Sequence, residues 1–301
     1  MKKYLFVLST LVLFTFSSCQ KIAGDLISKD FNIEGSYTAL KVQDAFDVVV
    51  DDAATQITVT VGENIMPKVV VEIVDNTLKI RLKGINHGTY GTEMKVILPY
   101  NADLSSVELS GASGFRSEYG LVGQKSIVEL SGASDCYCDL LANEIVVRLS
   151  GASEFHGEIQ GDQADIYLSG SSNLYGNVVA DDLNMKLSGS SDIECDVDAY
   201  ELDLVMSGAS DALLEGYVPQ LKINLDGSSN IVKKVVGNCY ALACDNCEGK
   251  MSGSSDAYIH CDGRICVDLS GASELHYTGD GISSGCSTTS GGSSIIGPEH
   301  P

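Results

Sequence analysis

The sequence predicts an all-β fold, a single-stranded parallel β-helix of about 19 residues per coil preceded by a β-rich N-terminal segment. Three observations carry that expectation. First, one phrase recurs nine times: an apolar residue, usually Ser-Gly, then Ala or Ser, then Ser and an acid or amide, as in Leu130-Ser131-Gly132-Ala133-Ser134-Asp135. Its glycines are Gly111, Gly132, Gly151, Gly170, Gly189, Gly208, Gly227, Gly253 and Gly271, with gaps of 21, 19, 19, 19, 19, 19, 26 and 18 residues. A nearly fixed period of this length marks a solenoid. Second, two period-2 alternations lie between successive phrases, one after each phrase (Phe155, Gly157, Ile159) and one before the next (Ile166, Leu168). Side chains of a strand alternate sides, so each coil contributes two strands with inward apolar columns. Third, 31 Gly, 5 Pro and no Trp suit many short strands and tight turns.

From the N-terminus, Lys2 and Lys3 precede the apolar run from Tyr4 to Phe16, then Ser17, Ser18 and Cys19. That run is too short to span a bilayer and suits the core of a signal peptide over 1–18. Small residues directly before a cysteine resemble a bacterial lipobox, which implies cleavage before Cys19 and acylation of that residue. Residues 19–32 then form a linker, and the membrane is met through lipid alone. No acid precedes Asp25 after Cys19, so the periplasmic and the surface-exposed sides of an outer membrane both stay open.

Residues 33–101 lack the phrase but alternate, as in Val48 and Val50 or Ile57, Val59 and Val61, and are expected to cap the first coil. The repeats occupy 102–280. In each phrase Gly suits a stacked corner that demands positive φ or leaves no room for a Cβ, and the last Ser, from Ser113 to Ser273, is expected to line the corner interior. Nine equivalent serines speak against a single activated nucleophile. The coil between Gly227 and Gly253 is seven residues longer than its neighbours, so a loop near 237–246 should bulge out. The Gly- and Ser-rich tail, 281–301, is expected to lose order.

The Leu-Ser-Gly-Ala-Ser and Leu-Ser-Gly-Ser-Ser phrases, the β-rich lead-in and the lipoprotein-like start resemble the bacterial family known as putative auto-transporter adhesin, head GIN domain. The resemblance spans about residues 33 to 280. It implies a parallel β-helix with glycine turns, an exported lipoprotein and a role in adhesion, and it supplies no catalytic residue.

Outward residues after each phrase form triplets: Asp135, Tyr137, Asp139; Glu154, His156, Glu158; Asn173, Tyr175, Asn177; and then Asp192, Glu194, Asp196 with Asp211 one coil on. Acid or amide columns flank a largely aromatic one. Three readings compete for this face. It is a solvated surface whose charges deter edge aggregation and whose Tyr and His stack between coils; or a platform on which glycan rings stack while carboxylates and amides accept hydroxyls; or a calcium site with oxygens such as those of Asp192 and Asp211, the repeats then acting as a stiffened spacer. A glycan, or a host or envelope protein, is the partner expected, and a homo-oligomer is compatible with the repeats. A sugar-cleaving β-helix enzyme, a polysaccharide lyase or glycoside hydrolase, is the alternative from another class, because paired carboxylates do acid/base chemistry. Bound uronates want Arg or Lys, absent from these four triplets and from the next, Asp211, Leu213 and Glu215, so no catalytic residue and no resident cofactor is assigned. With 41 acids against 19 bases the formal charge is -22, which excludes nucleic acid as a partner.

Nine cysteines follow Cys19. Cys136, Cys138, Cys195 and Cys261 fall on inward columns as small hydrophobes. Cys239, Cys244, Cys247, Cys261 and Cys266 crowd the long coil, where one or two disulfides are expected to pin its loop. His87 and His300 are read as surface residues.

Overall fold

The computed structural model describes residues 24–32, 34–84, 93–237, 239–283 and 285–298; the signal segment, Cys19, His87 and His300 lie outside them. Among the described residues, the short 3-10 turn Met66–Lys68 is the one helical element among strands and turns. The strand Glu154–Leu168 pairs in parallel with Asn173–Leu187, and that with Asp192–Met206, Glu154 facing Asn173 facing Asp192. Each partner lies 19 residues further along, so the chain is a β-solenoid. Residues alternate inward and outward along each strand, and the phase shifts where two outward residues follow one another, as at Asp162-Gln163 and Asp181-Asp182. That shift is the second corner separating the two alternations.

In-register stacking builds the core as columns. One runs Val42, Leu109, Leu130, Leu149, Leu168, Leu187, Met206 and Leu225, each at most 2% exposed. A coil cannot bury such a side chain alone; its neighbours above and below complete the apolar surroundings.

The phrase makes the first corner. Gly132, Gly151, Gly170 and Gly189 have φ between 78 and 82°, and a Cβ on any of them would lie 2.4 to 2.6 Å from the carbonyl oxygen of the corner glycine one coil below. Glycine is therefore required twice over, for backbone conformation and for close approach. The N–H that follows each corner glycine donates to that same carbonyl, as Ala152 to Gly132 at 2.7 Å. The buried serines close the corner within their own coil: Ser153 Oγ donates to Ser150 O at 2.9 Å and Ser172 Oγ to Ser169 O at 3.0 Å. The expected interior position is met, but the hydroxyls bond within a coil. The inter-coil links come instead from the first serine of the phrase, as Ser150 Oγ to Leu130 O at 3.2 Å.

The glycine ladder ends on Asp44. This residue takes φ 75° at the corner beneath Gly111, and Ala112 N donates to its carbonyl at 2.7 Å. The Asp44 carboxylate accepts from the Leu82 backbone N–H at 2.7 Å, on the strand one coil below. Coil order here departs from chain order. Ala39–Val42 lies between Thr77–Leu82 and Ser106–Leu109, and Asp47–Asp51 between Lys95–Pro99 and Gly114–Arg116. Val69–Val74 and Ile57–Gly62 then pair antiparallel with this outermost coil, and Leu26–Phe31 with Ile57–Gly62.

The long coil and the tail depart from expectation. The extra residues form the antiparallel hairpin Val235–Val236 with Cys239–Tyr240, whereas Leu242–Cys244 is already back in the ladder opposite Gly216 and Tyr217. The bulge therefore ends before 242. The tail adds a further coil: Gly291 takes φ 72°, Gly292 N donates to Gly271 O at 2.7 Å, and Ser294–Ile296 pairs with Glu274–Thr278. Ser293 Oγ repeats the corner hydrogen bond to Ser290 O at 2.8 Å, so a degenerate tenth phrase, Ser290-Gly291-Gly292-Ser293, was hidden in low-complexity sequence. A disulfide between Cys266 and Cys286 ties this coil down. It corrects the expected pinning of the long loop: Cys244, Cys247 and Cys261 are buried free thiols, with Cys244 and Cys261 in adjacent register.

Candidate functional site

The outward triplets stand in register as three columns. Asp135 faces Glu154, Glu154 faces Asn173 and Asn173 faces Asp192; Tyr137, His156, Tyr175 and Glu194 follow the same rungs. Glu158 and Asn177 continue the third column, and Asp139 joins it through an Oδ1 that accepts from Glu158 N at 2.8 Å. All nine predicted face residues therefore share one surface.

What the aromatic column does differs from a free platform. The Tyr137 and His156 rings are 4.5 Å apart at 3°, and His156 and Tyr175 are 4.8 Å apart at 19°. The rings thus cover one another, because coils one strand spacing apart bring identical positions to stacking distance. Arg116 covers the outer face of Tyr137, its guanidinium 4.2 Å from the ring centroid. Sequence reasoning missed Arg116, which sits after the first phrase where Tyr137 sits after the second; counting five residues on from Gly111, as from Gly132 to Tyr137, would have found it.

The stack stops at Tyr175, whose next rung carries Glu194. There a depression of about 440 Å³ opens, lined by His156, Tyr175, Asn177, Glu194, Asp196 and Glu215 among others. Gly176 floors it; a Cβ there would lie 1.9 Å from Gly157 O. Burial, with the charges of Glu154, Asp192 and Glu194, pushes the Tyr175 phenol above its usual range, so it stays a hydrogen-bond donor. The depression therefore joins a ring face and a phenol donor to an amide and several carboxylate acceptors.

Like charges in the columns are offset locally. Asn230 Nδ2 donates to Asp211 Oδ1 at 2.9 Å, Asp211 N reaches Asp192 Oδ1 at 3.3 Å, and the His156 ring lies 3.4 Å from the Glu154 carboxylate. Burial, then the charge of Glu154, raises the Asp135 carboxyl above its usual range. The calcium candidates Asp192 and Asp211 are adjacent in register, and Oδ1 of each accepts one of these donors. Among the described residues no group of three or more His, Cys, Asp or Glu is placed to hold a metal ion.

A second, shorter stack lies further along. Tyr258 and His276 rings are 4.6 Å apart at 10°, and Tyr240, from the hairpin, meets Tyr258 edge-on at 5.4 Å.

Among solved structures, the chain is similar to "a putative adhesin" from Parabacteroides merdae, at 19% identity over 92% of this chain and 97% of that chain, TM-score 0.49. It is similar also to a "putative lipid binding protein" from Parabacteroides distasonis, at 18% identity over 92% and 98%, TM-score 0.45. A "putative adhesin" from the same species matches at 22% identity over 91% and 95%, TM-score 0.43. No curated protein matches the sequence. One family model matches twice, over residues 36–177 and 164–281, which together contain the glycine ladder, both stacks and the depression beside Tyr175. The chain belongs to the family described as "Putative auto-transporter adhesin, head GIN domain".

Proposed function

We propose that this protein is a non-catalytic adhesin-like lipoprotein of the outer membrane, held through Cys19, that retains a glycan at the open end of its first aromatic stack. The observation that carries the reading is the depression beside Tyr175, where an open aromatic face meets Asn177, Glu194 and Asp196. A sugar ring needs an apolar plane for its C–H face and acceptors for its hydroxyls, and this combination supplies both. Tyr137 and His156 act behind it, holding Tyr175 in orientation. Membership of an adhesin-like family supports binding rather than turnover.

A glycan array probed with the mature protein tests this. Retention of particular glycans with no fragments released supports the reading; absence of retention, or release of sugar fragments, overturns it. Protease shaving of intact cells tests the surface side: loss of the protein supports display, and full protection overturns an adhesive role outside the cell.

A further inference from the structure

A groove of about 600 Å³ runs along a different face, between the strands that enter the glycine corners and the corner serines. Its wall is an outward column in which Arg148 faces Tyr167 and Tyr167 faces Lys186 on successive coils. The Arg148 guanidinium lies 5.3 Å and Lys186 Nζ 5.7 Å from the Tyr167 ring centroid, so the ring is sandwiched between two cations. Arg148 pairs with Glu129 at 3.1 Å, whereas among the described residues Lys186 forms no ion pair. Onward from Arg148 the column reads Tyr167, Lys186, Val205 and Asn224, without a carboxylate; in the other direction Glu129, paired with Arg148, and Glu108, paired with Lys41, also line the groove. On a chain of net charge -22 this is a departure from the acidic surface.

The opposite wall is the serine column. Ser150, Ser169 and Ser188 each donate their hydroxyl to the carbonyl of Leu130, Leu149 and Leu168, at 3.2, 3.4 and 3.4 Å. With their protons committed inward, these hydroxyls present acceptors to the groove. Arg148 and Lys186 stand two coils apart, about 9.6 Å at ordinary strand spacing.

We infer that this groove binds an acidic glycan lying along the solenoid, its anionic groups on Arg148 and Lys186 and its hydroxyls on the serine column. The chemistry selects a thin linear polyanion with acids at alternate sugars, because the two cations stand two coils apart while an acceptor comes at every coil. A bilayer or a duplex would set a broad charged surface against the whole acidic molecule; a single chain in the groove stays within about one Debye length, about 8 Å, of the two cations. The site does not depend on the Tyr175 depression.

The test is calorimetric titration of the mature protein with hyaluronan octasaccharide, which carries one carboxylate per disaccharide, with chondroitin sulfate octasaccharide, and with neutral N-acetylchitohexaose. The two acidic probes separate carboxylate from sulfate as the favoured anion. Binding of at least one of them, absent for the neutral one and about tenfold weaker in Arg148→Gln/Lys186→Gln, is the expected result. The single variant Lys186→Gln, which breaks no ion pair, keeps the test sound should the double variant fold poorly, and weakens binding about threefold or more. Tyr175→Ala leaves these affinities unchanged, so failure here and failure of the glycan reading at Tyr175 are distinguishable. Failure of both acidic octasaccharides to bind, affinity unchanged in Lys186→Gln, or equal binding of the neutral sugar overturns the inference.

Discussion

The rings of Tyr137 and His156 lie 4.5 Å apart and within 3° of parallel, although 19 residues separate them in the chain. That relationship exists because the glycine corners hold successive coils in register, and it makes His156 the middle of a stack whose other neighbour is Tyr175. Aromatic pairs contribute roughly 0.5 to 1.5 kcal/mol each beyond burial. His156→Ala removes both and should lower stability by about 1 to 3 kcal/mol, whereas His156→Tyr should retain most of it. Thermal melting of the two variants decides; equal melting temperatures would remove the stack from the energetics.

The corner glycines make a sharper prediction. Gly170→Ala forces a Cβ into φ 79° and to 2.6 Å from Gly151 O, whereas a Cβ added at Gly123 would meet nothing within 4 Å and needs no positive φ. Backbone strain alone is on the order of 1 to 3 kcal/mol, and the overlap adds to it. Gly170→Ala should therefore melt well below wild type and Gly123→Ala close to it; similar melting for both would mean that the corners adapt.

The Cys266–Cys286 disulfide closes a loop of sequence separation 20 around the last coil. Constraint of the unfolded chain by a loop of that size is worth about 3 kcal/mol. Cys286→Ser should leave the coils below Gly253 unchanged and raise amide hydrogen exchange across 285–298 selectively. Uniform loss of protection along the whole ladder would contradict the stacking described.

Burial pushes the Cys195 thiol from its ordinary value near 9 up to about 12. Because the folded-state value is the higher one, the unfolded chain loses this proton first as pH rises. The contribution is intact below about pH 9 and is lost progressively through about pH 12, amounting at most to about 4 kcal/mol. The stability of wild type relative to Cys195→Ala should thus fall between pH 8.5 and pH 10.5 or so. A constant difference would show that the thiolate is solvated in the native state.

Much of the fold was legible because the solenoid writes itself as a period. Gly132 to Gly227 fix the register, and from it follow the inward columns, the buried serines and the shared face of Asp135, Tyr137, Asp139 and their equivalents. Non-periodic features were hidden. The 39–51 coil inserts between later segments through long-range pairing, which alternation cannot reveal, and nothing in the sequence marks Asp44 as the residue that takes a glycine's place at the end of the ladder. The pairing of Cys266 with Cys286 depended on a coil disguised by its Gly and Ser content. At the site, residue identities and the stacking of Tyr and His between coils were both readable from the register, but the sequence left that stack and an open platform as alternatives; one strand spacing turns the row of rings into a column and moves the usable surface to its end.

The comparison that tests the binding reading most directly is retention by the glycan array of Tyr175→Ala beside Tyr137→Ala. Tyr175 offers the face at the end of the stack, whereas Tyr137 is covered on one side by Arg116 and on the other by His156. Retention of neutral glycans should be lost in Tyr175→Ala and largely kept in Tyr137→Ala. Equal retention in both variants, or loss confined to Tyr137→Ala, would contradict a ligand site at the open end of the stack.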